Sequence, residues 1–379
     1  MEQPFSAAAE PRSPRPEPAS LLRDAASRDA VRSNGAANGA PNQVPAAAEP
    51  PDDGSGDVLL PAIEWLAGSD EPAVRRAAQL EFLGKAWDGP SLRNGRCISA
   101  LLSGQQPNGG FGVHPYSKWT GAHWRLVSLV DLGVTASEAP SMVDAAATVL
   151  DWLHSEQHRS RIQTIHGLTR RCASQEGNAL YACTRLGMAA DPRVAKLASD
   201  LMLWQWPDGG WNCDVDASGR RSSFHETLPA ANGLREYWLA TGAPDARASA
   251  ERAADLLLQH RLFRSSSTGR PIDPRWLKLR YPAYWHYGVL PALLFLSRMG
   301  LAGDPRARDA EDVLRAKMMP DGRWPVEGAW CNPPGARGQT DVIDWGRHGP
   351  NDFVTLSAVR ILSPRFVPPA GSGTAGSPS

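Results

Sequence analysis

Apolar side chains in the central part of the chain recur every three or four residues, the spacing of one helix face. Val194, Leu197 and Leu201 share such a stripe, whereas Lys196 lies on the opposite face. Residues 288–296 are instead apolar on nearly every side. A striped helix keeps one face in water, and a helix that is apolar all round is buried. The pattern therefore predicts outer helices that alternate with inner ones.

This alternation predicts six helical pairs. The outer helices are expected near residues 93–103, 142–155, 193–205, 246–260 and 306–317. The inner helices are expected near residues 121–132, 176–186, 224–240, 284–299 and 352–362. A further pair, near residues 58–67 and 72–85, precedes them and completes the six.

Four inner helices are followed by a glycine at a nearly constant interval. Gly133, Gly187, Gly242 and Gly300 are 54, 55 and 58 residues apart. A glycine just past a helix accepts the left-handed conformation that ends it, because it has no Cβ atom to clash. A fixed period of this length indicates stacked units of supersecondary structure.

Three short segments between outer and inner helices have the composition of tight turns. They read Pro-Asn-Gly-Gly-Phe at 107–111, Pro-Asp-Gly-Gly-Trp at 207–211 and Pro-Asp-Gly-Arg-Trp at 320–324. Proline fixes φ at the start of a turn, Asp or Asn bonds the local backbone, and glycine supplies a positive φ. The aromatic residue that closes each segment is expected to fold onto the preceding helix.

The pattern Gln-x3-Gly-x-aromatic, at 105–111 and 205–211, resembles the QW repeat of squalene and oxidosqualene cyclases and of protein prenyltransferase β subunits. A third copy has Met318 in place of the glutamine. The resemblance covers residues 57–363 and is closest to single-domain, prenyltransferase-like members of this group. It implies an all-α fold, an (α/α)6 toroid of about six helical hairpins.

Composition indicates where the folded domain begins and ends. Residues 1–56 and 364–379 are rich in Ala, Pro, Ser and Gly and are expected to be disordered tails, because they cannot bury enough apolar surface. They leave 57–363 as the toroid domain.

Lys and Arg total 40, as do Asp and Glu, so no net field attracts nucleic acid. Five cysteines without a CxxC pair indicate reduced thiols. The sequence lacks a signal peptide and an integral membrane segment, which predicts a cytoplasmic protein.

The acid that begins class II cyclisation is not present in its expected form. That resemblance implies Asp-x-Asp-Asp at the head of an inner helix, where a carboxylic acid is kept protonated. The chain has Asp-Val-Asp-Ala at 214–217, which lacks the last aspartate and comes about eight residues too early. At the expected place His225 precedes Glu226 and would keep its carboxylate ionised. The sequence therefore disfavours proton-initiated cyclisation, and it has no DDxxD run for class I ionisation.

Polar residues stand at the N-terminal ends of the inner helices, which are expected to share one rim. They are His123, Glu176, Asn178, His225, Glu226, His286 and Asp352. Among them we predict catalytic acid–base roles for Glu176, His225, Glu226, His286 and Asp352. Protein prenyltransferases hold zinc with Asp, Cys and His at comparable ends, so the resemblance makes zinc a possible cofactor. Its nearest ligands here are Cys213, Asp214, His225 and His286. A capping box at 223–226 and a metal-free His–Glu pair are the alternatives.

Further residues near this rim are candidates for binding substrate. Arg170 and Arg171, aided by Lys118 and Arg280, would hold a phosphate; salt bridges to the rim carboxylates or a solvated loop are the alternative. Aromatic residues there would line a cavity for an isoprenoid tail, with core packing as the alternative. These are Trp119, Trp124, Tyr284, Trp285 and Tyr287, and His123 is a further candidate for binding substrate.

Three functions fit these features. The first is a terpenoid-cyclase-like or prenyltransferase-like protein that binds or transforms an isoprenoid or other hydrophobic small molecule in the toroid cavity. The second is a non-catalytic toroid that binds a small molecule, peptide or protein partner at its rim. The third is a hydrolase or lyase, which needs two carboxylates about 5–10 Å apart. Glu176 or Glu226 with Asp352 would be that pair. Nothing in the sequence sets an oligomeric state.

Overall fold

The structure, a computed structural model, describes residues 55–363, with side chains from residue 58. This part of the chain is all-α in character, with thirteen α-helices and one two-stranded β-ribbon. The predicted disordered tails lie outside the described residues, except that Ser55 and Gly56 already belong to the first helix. No helix in the described part is long and apolar enough to cross a membrane.

The helices follow the predicted alternation. Their bounds are α1 Ser55–Ala67, α2 Pro72–Glu81, α3 Arg96–Leu102, α4 Ala122–Asp131, α5 Ser141–His154, α6 Glu156–Arg159, α7 Ala173–Arg185, α8 Pro192–Trp204, α9 Phe224–Thr241, α10 Pro244–Gln259, α11 Val289–Arg298, α12 Arg308–Arg315 and α13 Asp352–Leu362. Short 3-10 turns are Leu92–Asn94, Pro274–Leu277 and Pro305–Ala307. The predicted outer helices correspond to α3, α5, α8, α10 and α12, and the predicted inner ones to α4, α7, α9, α11 and α13.

One predicted inner helix begins later than expected. Helix α11 starts at Val289, so 284–288 is a loop rather than the first turn of a helix. The backbone explains this, because Tyr284 has a φ of 54° and Gly288 is fully extended at −175°. Neither conformation continues an α-helix.

A β-ribbon between α6 and α7 was not predicted. Strands β1 (Gln163–Ile165) and β2 (Leu168–Arg170) are antiparallel, with Thr164 opposite Thr169. His166 and Gly167 join them with φ values of 52° and 76°. Two consecutive positive φ angles are typical of the tightest hairpin turn, whose twist matches that of the strands.

The repeated local signals of the sequence are confirmed. Gly133, Gly187, Gly242 and Gly300 have φ angles of 78°, 81°, 74° and 76°, as a glycine past a helix end requires. In the turn at 207–211, the Trp206 N–H donates to the Gly210 carbonyl oxygen at 2.8 Å. The turns at 107–111 and 320–324 make the corresponding bond at the same length. The three turns therefore share one backbone geometry.

The glutamine before the turn links neighbouring pairs of helices. The Gln205 side-chain amide donates to the carbonyl oxygens of Gly209 at 2.8 Å and Ser249 at 2.9 Å. Ser249 lies on α10, the outer helix of the next pair. Gln105 makes the same two kinds of bond, reaching Ser141 on α5. A methionine at 318 cannot donate them, so the third turn lacks this link.

The inner helices pack against one another. Helices α7 and α9 approach so closely that a Cβ atom on Gly177 would lie 2.5 Å from the Ala230 backbone, and one on Gly233 would lie 2.4 Å from the Gly177 carbonyl. Glycine is therefore required at both positions. Helix α13, the last, packs against α1 and α2, the first two.

Candidate functional site

One cavity of about 820 Å³ lies among the inner helices, within the usual size range of small-molecule sites. Helices α2, α4, α7, α9, α11 and α13 all contribute to its wall. Much of this wall is apolar and includes Val74, Ala77, Val127, Leu228, Pro291, Leu294, Phe353 and Leu356. The cavity thus offers an apolar surface to a ligand.

The cavity ends at an aromatic layer near the N-terminal ends of the inner helices. Tyr284, only 6% exposed, lies at this end and stacks on Trp119 with ring centroids 4.6 Å apart. The Tyr284 hydroxyl donates to the buried carboxylate of Asp341, which also accepts from the Trp345 indole N–H at 2.9 Å. These contacts hold the Tyr284 ring in place at this end of the cavity.

The cavity opens at the C-terminal ends of the same helices, where lining residues such as Gly187, Ala190 and Thr241 are exposed. Charged side chains are concentrated at this opening. They are Arg76, Glu81, Asp131, Arg185, Arg235, Glu236, Arg298 and Arg360. We call this set the charged mouth.

Most charges of the charged mouth are paired. Arg360 binds Glu81 through two N–H···O contacts of 2.6 and 2.7 Å. Glu236 accepts from Arg235 at 2.5 Å and lies 3.4 Å from Arg185. Arg76 is held from outside the wall by Glu138, at 2.6 Å.

Arg298 is the exception in this set. Its guanidinium contacts the Tyr181 hydroxyl at 3.5 Å, and among the described residues it has no carboxylate partner within 4.0 Å. Tyr181 in turn donates to the Asp131 carboxylate at 2.5 Å. Burial and then Asp131 raise the pKa of Tyr181 to about 12, so its phenol stays protonated. Burial alone would lower the pKa of Arg298, but Tyr181 and Asp131 raise it, so its charge is retained. Arg298 can therefore receive an anion from the cavity.

None of the residues of the charged mouth was predicted from the sequence, although a local signal points to them. Asp131, Arg185 and Arg298 each stand two residues before one of the periodic glycines. This position is the last turn of an inner helix, where an arginine also complements the helix dipole.

The residues predicted at the opposite rim are mostly buried and engaged. Glu176 forms a buried ion pair with Arg171, whose Nε lies 2.8 Å away, and approaches His158 Nε2 at 3.3 Å. The salt-bridge alternative is thus confirmed for Arg171. Arg170 lies over the Trp206 ring at 4.4 Å and donates to the Gly219 carbonyl. Neither arginine lines the cavity.

His225 and Glu226 face away from the cavity. His225 Nδ1 accepts from the Tyr287 N–H at 2.8 Å. Glu226 accepts from the Ser174 N–H at 2.8 Å and from the Cys213 thiol at 3.5 Å. Burial raises the pKa of Glu226 above its usual value. Ser223 precedes α9, but its side chain makes no capping bond, so the capping-box alternative is wrong.

His286 and Asp352 have different surroundings. His286 lines the cavity and stacks between Trp285 and Trp330, at centroid distances of 4.1 and 3.9 Å. Its ring lies 6.4 Å from that of His225. Asp352 begins α13 and accepts from the Ser69 hydroxyl. Of the five residues predicted to be catalytic, His286 is the one found in the cavity wall.

Most of the residues predicted to line the cavity or to bind metal lie outside the cavity wall. Trp119 and Trp124 pack in a buried cluster with Tyr284, Tyr287 is 1% exposed, and Lys118 lies 4.8 Å above Trp285. Core packing therefore accounts for Trp119, Trp124 and Tyr287, which like Trp285 do not line the cavity, whereas Tyr284 does line it. The exposed Asp214 accepts from the Asp216 N–H. In the described part of the chain, Cys213 converges with Cys172 and Glu226 rather than with Asp214, His225 or His286.

His123 yields a prediction about pH. Its ring is 1% exposed, and neither ring nitrogen has a hydrogen-bond partner among the described residues. Burial lowers the pKa of His123 to about 3, so the folded protein holds it neutral. The unfolded chain takes up a proton below about pH 6.5, so stability falls as the pH drops from about 6.5 toward 3. His158 and His286, whose pKa values are also about 3, add to the same loss.

Between pH 8 and pH 5, we expect the free energy of unfolding to fall by about 2 kcal/mol less in His123→Phe than in the wild type, because a phenyl ring has no nitrogen to protonate. Urea unfolding at both pH values measures this difference. The exposed His348→Gln variant is the control and should keep the wild-type pH dependence. An unchanged pH dependence in His123→Phe would show that His123 is solvated in the folded protein.

Comparison of the chain with protein-family models, with curated proteins and with solved structures finds no match in any of the three.

Proposed function

We propose that this chain is an (α/α)6 toroid whose central cavity binds an elongated amphipathic anion, an isoprenoid diphosphate or a similar apolar chain with a phosphate head. Support for the ring arrangement comes from one cavity lined by six helices and from the packing of α13 against α1 and α2. A closed ring removes the exposed ends that an open array of helical pairs would leave.

The observation that carries the proposed function is the polarity of the cavity. An apolar wall runs from the layer at Tyr284 to the charged mouth, where Arg298 lacks a carboxylate partner among the described residues. An apolar tail gains about 25 cal/mol per Å² of surface removed from water. An arginine at the mouth supplies the charge-assisted hydrogen bonds that phosphate oxygens accept. A neutral hydrocarbon would leave Arg298 unused.

Binding without chemistry is the second candidate, and one observation favours it. Glu176, His225, Glu226 and Asp352 do not line the cavity. The carboxylates that do line it, Glu81, Asp131 and Glu236, are each engaged by an arginine or a tyrosine. Incubation with farnesyl and geranylgeranyl diphosphates, followed by product analysis, separates the two candidates.

Thermal unfolding with each diphosphate tests the proposed function. Ligand bound to the folded state alone raises the unfolding temperature. We expect this rise for the wild type and its loss in Leu294→Trp, which places an indole in the cavity. Leu203→Trp is the matched control, since Leu203 is 79% exposed on α8. No rise in the wild type, or an equal rise in Leu294→Trp, would contradict the proposal.

A further inference from the structure

A second group of side chains lies apart from the cavity and contains two thiols and a carboxylate. The Sγ atoms of Cys172 and Cys213 and a carboxylate oxygen of Glu226 all lie within 4.8 Å of one another. Within residues 55–363 this is the one cluster of three or more His, Cys, Asp or Glu ligands that is close enough to hold a metal ion.

Backbone contacts build this group from three separate segments. Cys172 precedes α7, Cys213 follows the turn at 207–211, and Glu226 lies in the first turn of α9. The first two segments are joined because Arg170 and Asn212 form a parallel bridge and the Arg171 N–H donates to the Asn212 carbonyl oxygen at 3.0 Å. The two cysteines therefore lie side by side.

The carboxylate is oriented by a separate contact. The Ser174 N–H binds one oxygen of Glu226 at 2.8 Å, which directs the other oxygen to within 3.5 Å of the Cys213 sulfur. Glu226 is 6% exposed, whereas both cysteines are half-buried. One side of the group thus remains accessible, and the buried side is fixed by the backbone.

The geometry points to a divalent metal site formed by Cys172, Cys213 and Glu226, with zinc as the ion whose chemistry it fits. Tetrahedral zinc with Zn–S bonds of about 2.3 Å places two sulfurs about 3.8 Å apart, within the spacing found here. Thiolates favour zinc over magnesium or calcium, which prefer oxygen ligands. The accessible side provides the fourth position for a solvent molecule.

This ligand set differs from that expected from the sequence, since Cys213 is retained while Cys172 and Glu226 replace Asp214, His225 and His286. Zinc binding would release the thiol protons, because the thiolate is the ligand. Lys118 also lies near Cys172 and Glu226, where its positive charge opposes a bound cation. Lys118→Met should therefore bind the metal more tightly than the wild type.

Cobalt titration of the reduced full-length protein tests the site. Cobalt bound by thiolates gives an intense sulfur-to-metal charge-transfer absorption, and elemental analysis after zinc loading and dialysis gives the stoichiometry. We expect one ion per chain in the wild type and in Cys183→Ala, a control thiol buried on α7. Cys172→Ala and Cys213→Ala should lose the ion, and Glu226→Gln should weaken binding about 10–100-fold.

Thermal unfolding of each metal-free variant identifies any that fails to fold. If the cysteine variants do not fold, the metal affinity of Glu226→Gln, which keeps the side-chain shape, tests the proposal. The proposal is overturned if the reduced wild type gives no charge-transfer absorption, or if the cysteine variants retain the ion. It is overturned equally if the wild type only forms a Cys172–Cys213 disulfide in air and binds no cobalt when reduced.

Discussion

Arg298→Met is expected to lower the affinity for farnesyl or geranylgeranyl diphosphate about 10–100-fold, the loss of one or two hydrogen bonds to a charged group. Arg298 is the arginine of the charged mouth with no carboxylate partner among the described residues, so its replacement leaves no anionic side chain newly unpaired. Asp131, whose charge raises the pKa of Arg298, keeps its bond from Tyr181. Calorimetric titration of each variant measures the change.

Two variants sharpen this prediction. Arg298→Lys keeps the charge but loses the planar fork of donors, so it should bind with intermediate affinity. Arg315→Met, on the exposed surface of α12, removes an arginine outside the cavity and should bind as the wild type does. Equal losses at Arg298 and Arg315 would indicate a general charge effect rather than a site.

Trp211→Ala is expected to lower the free energy of unfolding by about 3–5 kcal/mol, the usual cost of truncating a buried tryptophan. Trp211 is 1% exposed, and its indole N–H donates to the Leu201 carbonyl oxygen at 2.9 Å, near the end of α8. Truncation opens a cavity and leaves this carbonyl without its donor. Chemical denaturation measures the loss.

Trp238→Ala is the control for ring size, because Trp238 is only half-buried on α9, and we expect it to cost clearly less. Trp211→Phe should cost an intermediate amount, since phenylalanine keeps part of the packing but cannot donate. In the first copy of the turn, phenylalanine stands naturally at the corresponding position, Phe111, and the Arg125 guanidinium lies 4.1 Å from its ring centroid. Equal costs for Trp211→Ala and Trp238→Ala would contradict the structural role given to the turn.

Local features explain why much of the fold could be predicted. A positive φ at Gly187 and the backbone bonds of the turn at 207–211 depend on residues within a few positions of each other. The helix positions could be predicted for the same reason, because the spacing of apolar residues such as Val194 and Leu197 indicates which face of the helix is buried. The late start of α11 was missed, since the positive φ of Tyr284 has no local sequence signal.

The site was harder to predict because it depends on contacts between distant segments. The sequence placed functional residues at the starts of the inner helices, but Glu176 and Glu226 are buried there by partners such as Arg171 and Ser174. The position of Tyr284 at one end of the cavity depends on the loop at 281–287 and on the bond from Tyr284 to Asp341. No periodicity within one helix reports that arrangement.

Photoaffinity labelling tests the central claim most directly. A geranylgeranyl diphosphate analogue with a photoreactive group on its apolar tail would be irradiated with the full-length protein, and the labelled residues read by mass spectrometry. We expect labels on wall residues such as Leu228, Leu294 and Phe353, competed by unmodified diphosphate and reduced in Arg298→Met. Labelling confined to exposed apolar residues such as Leu203, without competition, would contradict a ligand-binding cavity.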